Sequence, residues 1–195
     1  GGQVFNFTGD MSDEDQIISF VSQTADKFGR IDILINNAGY DRPGTTAKIS
    51  SDDFLYVLGI HLVVPFVLIQ LLLPDMRTAG WGRVVNVSSI YALTGAKAEV
   101  AYSTAKAGVI GLTKSVAREA GPDGVTVNAI LPGLTRTPTI EKFMADKYKQ
   151  PIVDQTPLGR MGEPEEIARV VAFLASDEAS FITATTVPVS GGWGI

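Results

Sequence analysis

Short apolar segments that end in polar or glycine-rich turns alternate along this chain with longer stretches of helical periodicity. Strands are predicted over 4–7, 31–35, 83–87, 125–130 and 185–189. Helices are predicted over 12–28, 51–79, 101–120, 140–148 and 163–175, the first of them capped by Ser12. Strands that alternate with helices indicate βαβ units, which assemble into a parallel sheet with both faces covered. The sequence therefore predicts an α/β fold, a doubly wound parallel sheet in a single domain over 1–195.

The composition limits the partners that such a domain can bind. The net charge is −5, and no block of Lys and Arg offers a surface that could follow a phosphate backbone, which argues against nucleic-acid binding. With no Cys and a single His, a zinc site built from the chain's own side chains is not expected. The lack of Cys fits a cytosolic protein, and we expect a cytoplasmic location.

The most apolar segment runs from Leu62 to Leu73, inside the second predicted helix. It is too short to span a bilayer, so we expect no membrane partner. A helix that is apolar on nearly all sides is usually buried on all sides. We therefore expect this helix and the helix over 101–120 to form the interface of a homodimer or homotetramer, with burial inside one subunit as the alternative.

Three predicted strands end in turns that suit ligand binding. Asn37, Ser89 and Pro132-Gly133 each come after a strand. In open α/β sheets, ligands bind outside the carboxyl ends of the strands. These turns therefore predict a ligand site at one edge of the sheet.

The segment from Tyr102 to Lys106 places a phenol and an ammonium at positions i and i+4, on one face of a helix. A nearby ammonium favours the phenolate, so it is expected to lower the pKa of Tyr102. A phenol with a pKa near neutrality is a competent general acid or base. Taken alone, this spacing also fits an ordinary surface pair, and either Ser88 or Ser89 could supply a hydroxyl beside it.

Six ordered motifs resemble those of the short-chain dehydrogenase/reductase family. They are Asp10, Asn36-Asn37-Ala38-Gly39, Asn86-Val87-Ser88-Ser89, Tyr102-x-x-x-Lys106, Asn128-Ala129-Ile130-Leu131-Pro132-Gly133 with Thr137, and Val189-Ser190-Gly191-Gly192-Trp193. Within this resemblance, the interval to Tyr102 selects Ser89 over Ser88. The resemblance implies a Rossmann-like sheet and an oxidoreductase that transfers a hydride between NAD or NADP and a small-molecule alcohol or carbonyl.

The resemblance also implies a role for each matching residue. Tyr102 would exchange a proton with the substrate oxygen, Ser89 would hold that oxygen, and Lys106 would hydrogen-bond the nicotinamide ribose and lower the pKa of Tyr102. Other cofactor-binding residues would be Asp10 at the adenine, Asn37, Ala38 and Gly39 at the adenosine ribose, and Pro132, Gly133 and Thr137 at the nicotinamide carboxamide. From the residues alone, Asp10 could instead flank a helix and Thr137 could belong to a turn.

His61 departs from the family pattern, which usually has Asn at this catalytic position. In the family, the main-chain carbonyl of this residue holds a water that links the lysine to solvent. Pro65 has no N–H, so it cannot donate to the carbonyl of His61 and leaves that carbonyl free for such a water. We therefore predict a relay through the His61 backbone, and we favour a buried structural imidazole over a new catalytic one.

The start of the family pattern is absent from the chain. No Gly-rich turn precedes Asp10, whereas the family begins with two strands and two helices, about 50–60 residues that cradle the pyrophosphate and read the adenosine ribose. We expect these residues to exist upstream in the native protein. A strand-swapped fragment and a degenerate gene product are the alternatives.

Other functions are compatible with the same motifs. The chain could be an inactive oligomerisation or binding module, a possibility favoured by the lack of the Gly-rich turn and opposed by the intact Ser89, Tyr102 and Lys106. It could also be an epimerase, dehydratase or dehalogenase on the same fold. The choice between NAD and NADP lies in the segment that the chain does not contain.

Overall fold

Four parallel strands form the centre of the structure, a computed structural model that describes residues 2–195. They are β1 (Ile33–Asn36), β2 (Gly82–Val87), β3 (Val125–Pro132) and β4 (Thr186–Val189), and they lie in that order across the sheet. All three pairings are parallel, so the carboxyl ends of the strands lie at one edge. The predicted α/β fold with a parallel sheet is confirmed.

The helices connect these strands. They are α1 (Glu14–Phe28), α2 (Ser51–Leu58), α3 (Val64–Ala79), α4 (Tyr91–Thr94), α5 (Val100–Ala120), α6 (Pro138–Phe143), α7 (Asp146–Asp154) and α8 (Pro164–Leu174). A π-helical segment, Gly59–Val63, joins α2 to α3. Single 3-10 turns follow α5 and α8.

The core has two parts because successive side chains of a strand point to opposite faces of the sheet. On one face, Val84 packs with side chains of α1, α3 and α5. On the other face, Val85 and Ile130 pack with Leu174 of α8. Among the described residues, no helix covers β1 on this second face, where Ile33 is 43% exposed.

Residues 4–7, predicted as a strand, belong to no strand or helix in the structure. That prediction is wrong because a strand is defined by hydrogen bonds to a neighbour, and residues 4–7 pair with no strand among the described residues.

Two predicted helices also differ in detail. The cap of α1 is Asp13, which accepts from the N–H of Asp15 and Gln16, whereas Ser12 donates its hydroxyl to Asp10. The helix predicted over 140–148 is two helices, α6 and α7, because the backbone becomes extended at Met144.

The helical segment Ser51–Ala79 contains a π-helical turn, Gly59–Val63, just before Pro65. Since Pro65 cannot donate to His61, the chain passes this point by a π turn in which the Val64 N–H bonds to the Gly59 carbonyl. The 29-residue segment is long and apolar enough to cross a membrane by length and composition, but it buries Leu68, Leu72 and Met76 in the core. Its packing against the sheet explains much of its apolar character.

Candidate active site

The carboxyl edge of the sheet is tied together by a chain of buried side chains. The Asn36 amide donates to the Oδ1 of Asn86 at 2.8 Å, and the Asn86 amide donates to the hydroxyl of Thr113 at 2.9 Å. The Thr113 hydroxyl in turn donates to the Val109 carbonyl at 2.7 Å. These bonds fix the ends of β1 and β2 against α5, the helix that carries Tyr102 and Lys106.

Lys106 is buried, with 4% of its surface exposed. Its ammonium donates to the Val87 carbonyl at 2.6 Å, at the end of β2. Burial lowers the pKa of Lys106 to about 8. An ammonium has three N–H donors, and only one has a hydrogen-bond partner among residues 2–195, so Lys106 has donors left for a bound molecule.

Tyr102 lies beside Lys106 but does not behave as the sequence predicts. Burial raises the pKa of Tyr102 to about 12, and the negative charges of Asp41 and Glu99 act in the same direction. The ammonium of Lys106 lies 5.5 Å from the centre of the phenol ring and is directed to Val87. The expected lowering of the Tyr102 pKa is therefore wrong, because desolvation is the largest effect on the phenol.

The two neighbouring serines have different surroundings. The Ser88 hydroxyl donates to the Lys106 carbonyl at 2.7 Å and so holds α5 against β2. The Ser89 hydroxyl accepts from the Tyr91 N–H at 3.2 Å and lies close enough to Tyr102 to lower the pKa of the phenol in part. The structure thus places Ser89 next to Tyr102 and gives Ser88 an anchoring contact.

The residues predicted to bind the cofactor fall into two groups. Asn37, Ala38 and Gly39 follow β1, while Pro132 ends β3 and Gly133 follows it, at the edge that carries Ser89. Asp10 and Thr137 lie at helix starts. Asp10 accepts from the N–H and hydroxyl of Ser12 before α1, and Thr137 caps α6 by accepting from the Ile140 N–H. Both of these side chains already have a local structural contact.

The two glycines of the first group are required by packing. A Cβ atom on Gly133 would lie 2.8 Å from the Cα of Ser190. A Cβ atom on Gly39 would overlap the imidazole of His61, with 2.7 Å to its Nδ1. The resemblance implies that Gly39 lies at the adenosine ribose, and in the structure the imidazole of His61 occupies the position that a Cβ on Gly39 would take.

The carboxyl groups of Asp41 and Glu99 lie near each other and near Tyr102, a grouping that was not predicted from the sequence. The N–H of Gly44 donates to the Ala98 carbonyl at 2.7 Å and brings their two loops together. Burial, followed by the proximity of the Asp41 carboxyl, raises the pKa of Glu99 to about 8. The only signal in the sequence is that Glu99 lies three residues before Tyr102, at the N-cap of α5.

Glu99→Gln is expected to change how stability depends on pH. A carboxyl whose pKa rises from 4.5 to about 8 on folding binds more protons in the folded state across that range, so stability falls as pH rises through it. The variant should lack this fall, which thermal unfolding at a series of pH values would measure. Glu119→Gln, at an exposed position of α5, is the control and should retain this fall in stability.

Known proteins resemble the chain over nearly its whole length. The family model described as enoyl-(acyl carrier protein) reductase matches residues 1–194. The 3-oxoacyl-(acyl-carrier-protein) reductase of Thermotoga maritima is 38% identical over 191 residues, which cover 98% of this chain and 77% of that protein. The acetoacetyl-CoA reductase of Rhizobium meliloti is 41% identical over 183 residues, covering 94% and 76%.

The structural comparison agrees with the sequence matches. The crystal structure of levodione reductase superposes with a TM-score of 0.90 at 40% identity, over 94% of this chain and 74% of that one. This match confirms the Rossmann-like fold. With the family match over residues 1–194, it shows that the chain belongs to the short-chain dehydrogenase/reductase family of NAD(P)-dependent oxidoreductases.

Proposed function

We propose that this protein reduces the carbonyl group of a small molecule to an alcohol with NAD or NADP, using Ser89, Tyr102 and Lys106. The observation that carries the proposal is the grouping of these side chains at the carboxyl edge of the sheet, with Ser89 beside the phenol and a buried Lys106 beneath it. A Tyr102 pKa of about 12 keeps the phenol protonated at neutral pH, as a proton donor must be.

Each of these side chains has a hydrogen-bonding group available for its proposed role in the reaction. Ser89 accepts from Tyr91, so its own O–H can donate to the carbonyl oxygen of the substrate. Tyr102 gives its proton to that oxygen. The unused donors of Lys106 suit the hydroxyls of the nicotinamide ribose, and the nicotinamide supplies the hydride when bound. The His61 carbonyl, which Pro65 cannot reach, would accept from a water on the path to Lys106.

The named relatives suggest the substrate class. Two are named for the reduction of oxoacyl or acetoacetyl thioesters, and the structural relative for the reduction of levodione. We infer a ketone as the substrate here. Tyr91 and Trp193 stack edge to face, with 5.5 Å between ring centres, beside the Ser89 turn and offer an apolar surface to such a molecule.

A homodimer or homotetramer in the cytoplasm is part of the proposal. The helical segment 51–79 leaves Leu55, Val63 and Phe66 exposed by 63%, 51% and 46%. Three exposed apolar side chains on one helical segment favour a subunit interface on that face. Sedimentation of a monomer at micromolar concentration would contradict it.

Fluorescence offers a direct test of cofactor binding. The chain has two Trp residues, and Trp81 lies near Arg83 and Asp177 at the opposite end of β2. In a Trp81→Phe background, Trp193 alone should be quenched by NADH or NADPH, and the same protein should oxidise the reduced cofactor when a 3-oxoacyl thioester is added. Quenching by neither cofactor would overturn the proposal and favour an inactive binding module.

The serines provide a matched pair of variants. Ser89→Ala is expected to lower kcat about 10²–10³-fold, the usual effect of removing a donor to a reacting oxygen. Ser88→Ala should instead lower the free energy of unfolding by about 1 kcal/mol and change kcat far less, because it removes only the anchor to the Lys106 carbonyl. Steady-state kinetics and urea unfolding of both variants measure this, and equal losses of kcat would contradict the assignment of Ser89.

A further inference from the structure

The role proposed for the His61 carbonyl, to accept from a water, does not explain the surroundings of the His61 imidazole. The residue is 5% exposed, and neither ring nitrogen has a hydrogen-bond partner among residues 2–195. The Tyr40 carbonyl lies near enough to raise the pKa of His61 slightly without completing a hydrogen bond. A buried polar group without a partner costs about 1–3 kcal/mol, so such a group calls for an explanation.

The ring fills the space between two parts of the site. Its Nδ1–Cε1–Nε2 edge lies against Gly39, where a Cβ atom would overlap the imidazole. On another side it meets the ring of Tyr102 edge to face, with 5.1 Å between centres and 90° between planes. The imidazole therefore connects the loop after β1 to the phenol through direct contacts.

The charged and polar groups that face His61 keep it neutral. Burial lowers its pKa to about 4, the charge of Lys106 on α5 acts in the same direction, and Asp41 on the loop after β1 opposes both. At neutral pH the ring therefore adds no second cation beside Lys106. Protonation below about pH 4 would add one.

We propose that the imidazole of His61 is a positioning residue that holds the phenol of Tyr102 at a fixed distance from the Asn37–Gly39 turn. The role rests on the proposed function, since the turn is where the cofactor is expected and the phenol is the proposed proton donor. Through this contact, His61 sets where the proton is delivered relative to the bound cofactor. The imidazole of His61 thus joins Ser89, Tyr102 and Lys106 in the proposed site, which already includes the His61 backbone carbonyl.

One test does not depend on activity, because His61 is the only histidine of the chain and its NMR resonances are unambiguous. In the unaltered protein, the imidazole should titrate near pH 4. Gly39→Ala introduces a Cβ where the ring lies, so the ring should move outward and its pKa should rise towards the ordinary 6.5. Gly59→Ala is the control in the same helical segment, since a Cβ there meets nothing within 4 Å, and it should leave the titration unchanged. An unchanged titration in Gly39→Ala would overturn the proposal.

A second test uses kinetics with a 3-oxoacyl thioester. Gly39→Ala and His61→Ala should each lower kcat about 10–100-fold, in the range expected for small displacements of a reacting group. The double variant should lose no more than the worse single variant, because the new methyl group and the imidazole compete for one space. Losses that multiply would mean that the two residues act independently and would overturn the proposal.

The pH profile separates positioning from simple packing. In the unaltered protein, kcat should fall as pH decreases through about 4, when His61 becomes charged beside Lys106. His61→Asn, which is planar and cannot be protonated, should restore much of the kcat lost in His61→Ala and remove this acid limb. An acid limb that persists in His61→Asn would contradict the proposal. If no carbonyl compound is turned over, the proposed function fails, and the NMR titration still decides the placement of His61.

Discussion

Tyr102→Phe is expected to lower kcat for carbonyl reduction by about 10²–10⁴-fold, the range attributed to general acid–base catalysis. The variant keeps the aromatic ring, and with it the edge-to-face contact with His61. Only the hydroxyl is lost, and this is the group proposed to carry the proton. Binding of NADH, followed by Trp193 fluorescence, should therefore persist.

Tyr56→Phe is the matched control for this experiment. Tyr56 lies on α2, where its ring packs under the guanidinium of Arg42 at 3.9 Å, a contact that phenylalanine preserves. Its kcat should remain within a factor of about two of the unaltered protein. If Tyr102→Phe retains a similar kcat, Tyr102 is not the proton donor and the assignment of the active site is wrong.

Lys106→Met is expected to abolish turnover and at the same time to stabilise the fold. In the folded state burial lowers the lysine pKa from 10.5 to about 8, so the protein bears the cost of a desolvated ammonium at neutral pH. Removing the charge eliminates this cost, although the Val87 carbonyl loses its donor. We expect a net gain of about 1–3 kcal/mol in the free energy of unfolding at neutral pH.

The lowered pKa of Lys106 also makes the stability of the fold depend on pH. Between about pH 8 and 10.5, the unfolded chain binds more protons at this residue than the folded one, so the unaltered protein should gain stability as pH rises through that window. Lys106→Met should lack this gain, and Lys114→Met, at an exposed position of α5, should retain it. Urea unfolding across this pH range measures both. A less stable Lys106→Met protein at neutral pH would contradict the assigned cost of burial.

Much of the fold could be predicted from the sequence because it depends on local pattern. The strands over 83–87 and 125–130 lie within β2 and β3, and the helix over 101–120 is within one residue of α5. Apolar runs of strand length and amphipathic helices keep their identity in most tertiary surroundings. The strand predicted over 4–7 failed because its pattern requires a neighbour to become a strand, and the described residues provide none.

The part of the candidate site that follows from local geometry was predicted. Tyr102 and Lys106 share a face of α5 because four residues make about one helical turn, and this holds wherever the helix lies. Asp41 and Glu99 were missed because they meet through the contact of Gly44 with Ala98, between segments far apart in sequence. The place of His61 against Gly39 depends in the same way on how the π turn packs against the loop after β1.

The sequence by itself determined the alternation of β1 to β4 with the longer helices, the edge of the sheet to which Ser89 belongs, and the common face of Tyr102 and Lys106. The tertiary structure alone decided the protonation of these groups and the contacts of His61. The reason is physical: spacing along a helix or strand follows from backbone geometry, whereas a pKa depends on how much water and which charges distant segments bring to a side chain. The sequence predicts a lowered pKa for the Tyr102 phenol, whereas burial in the folded protein raises that pKa to about 12.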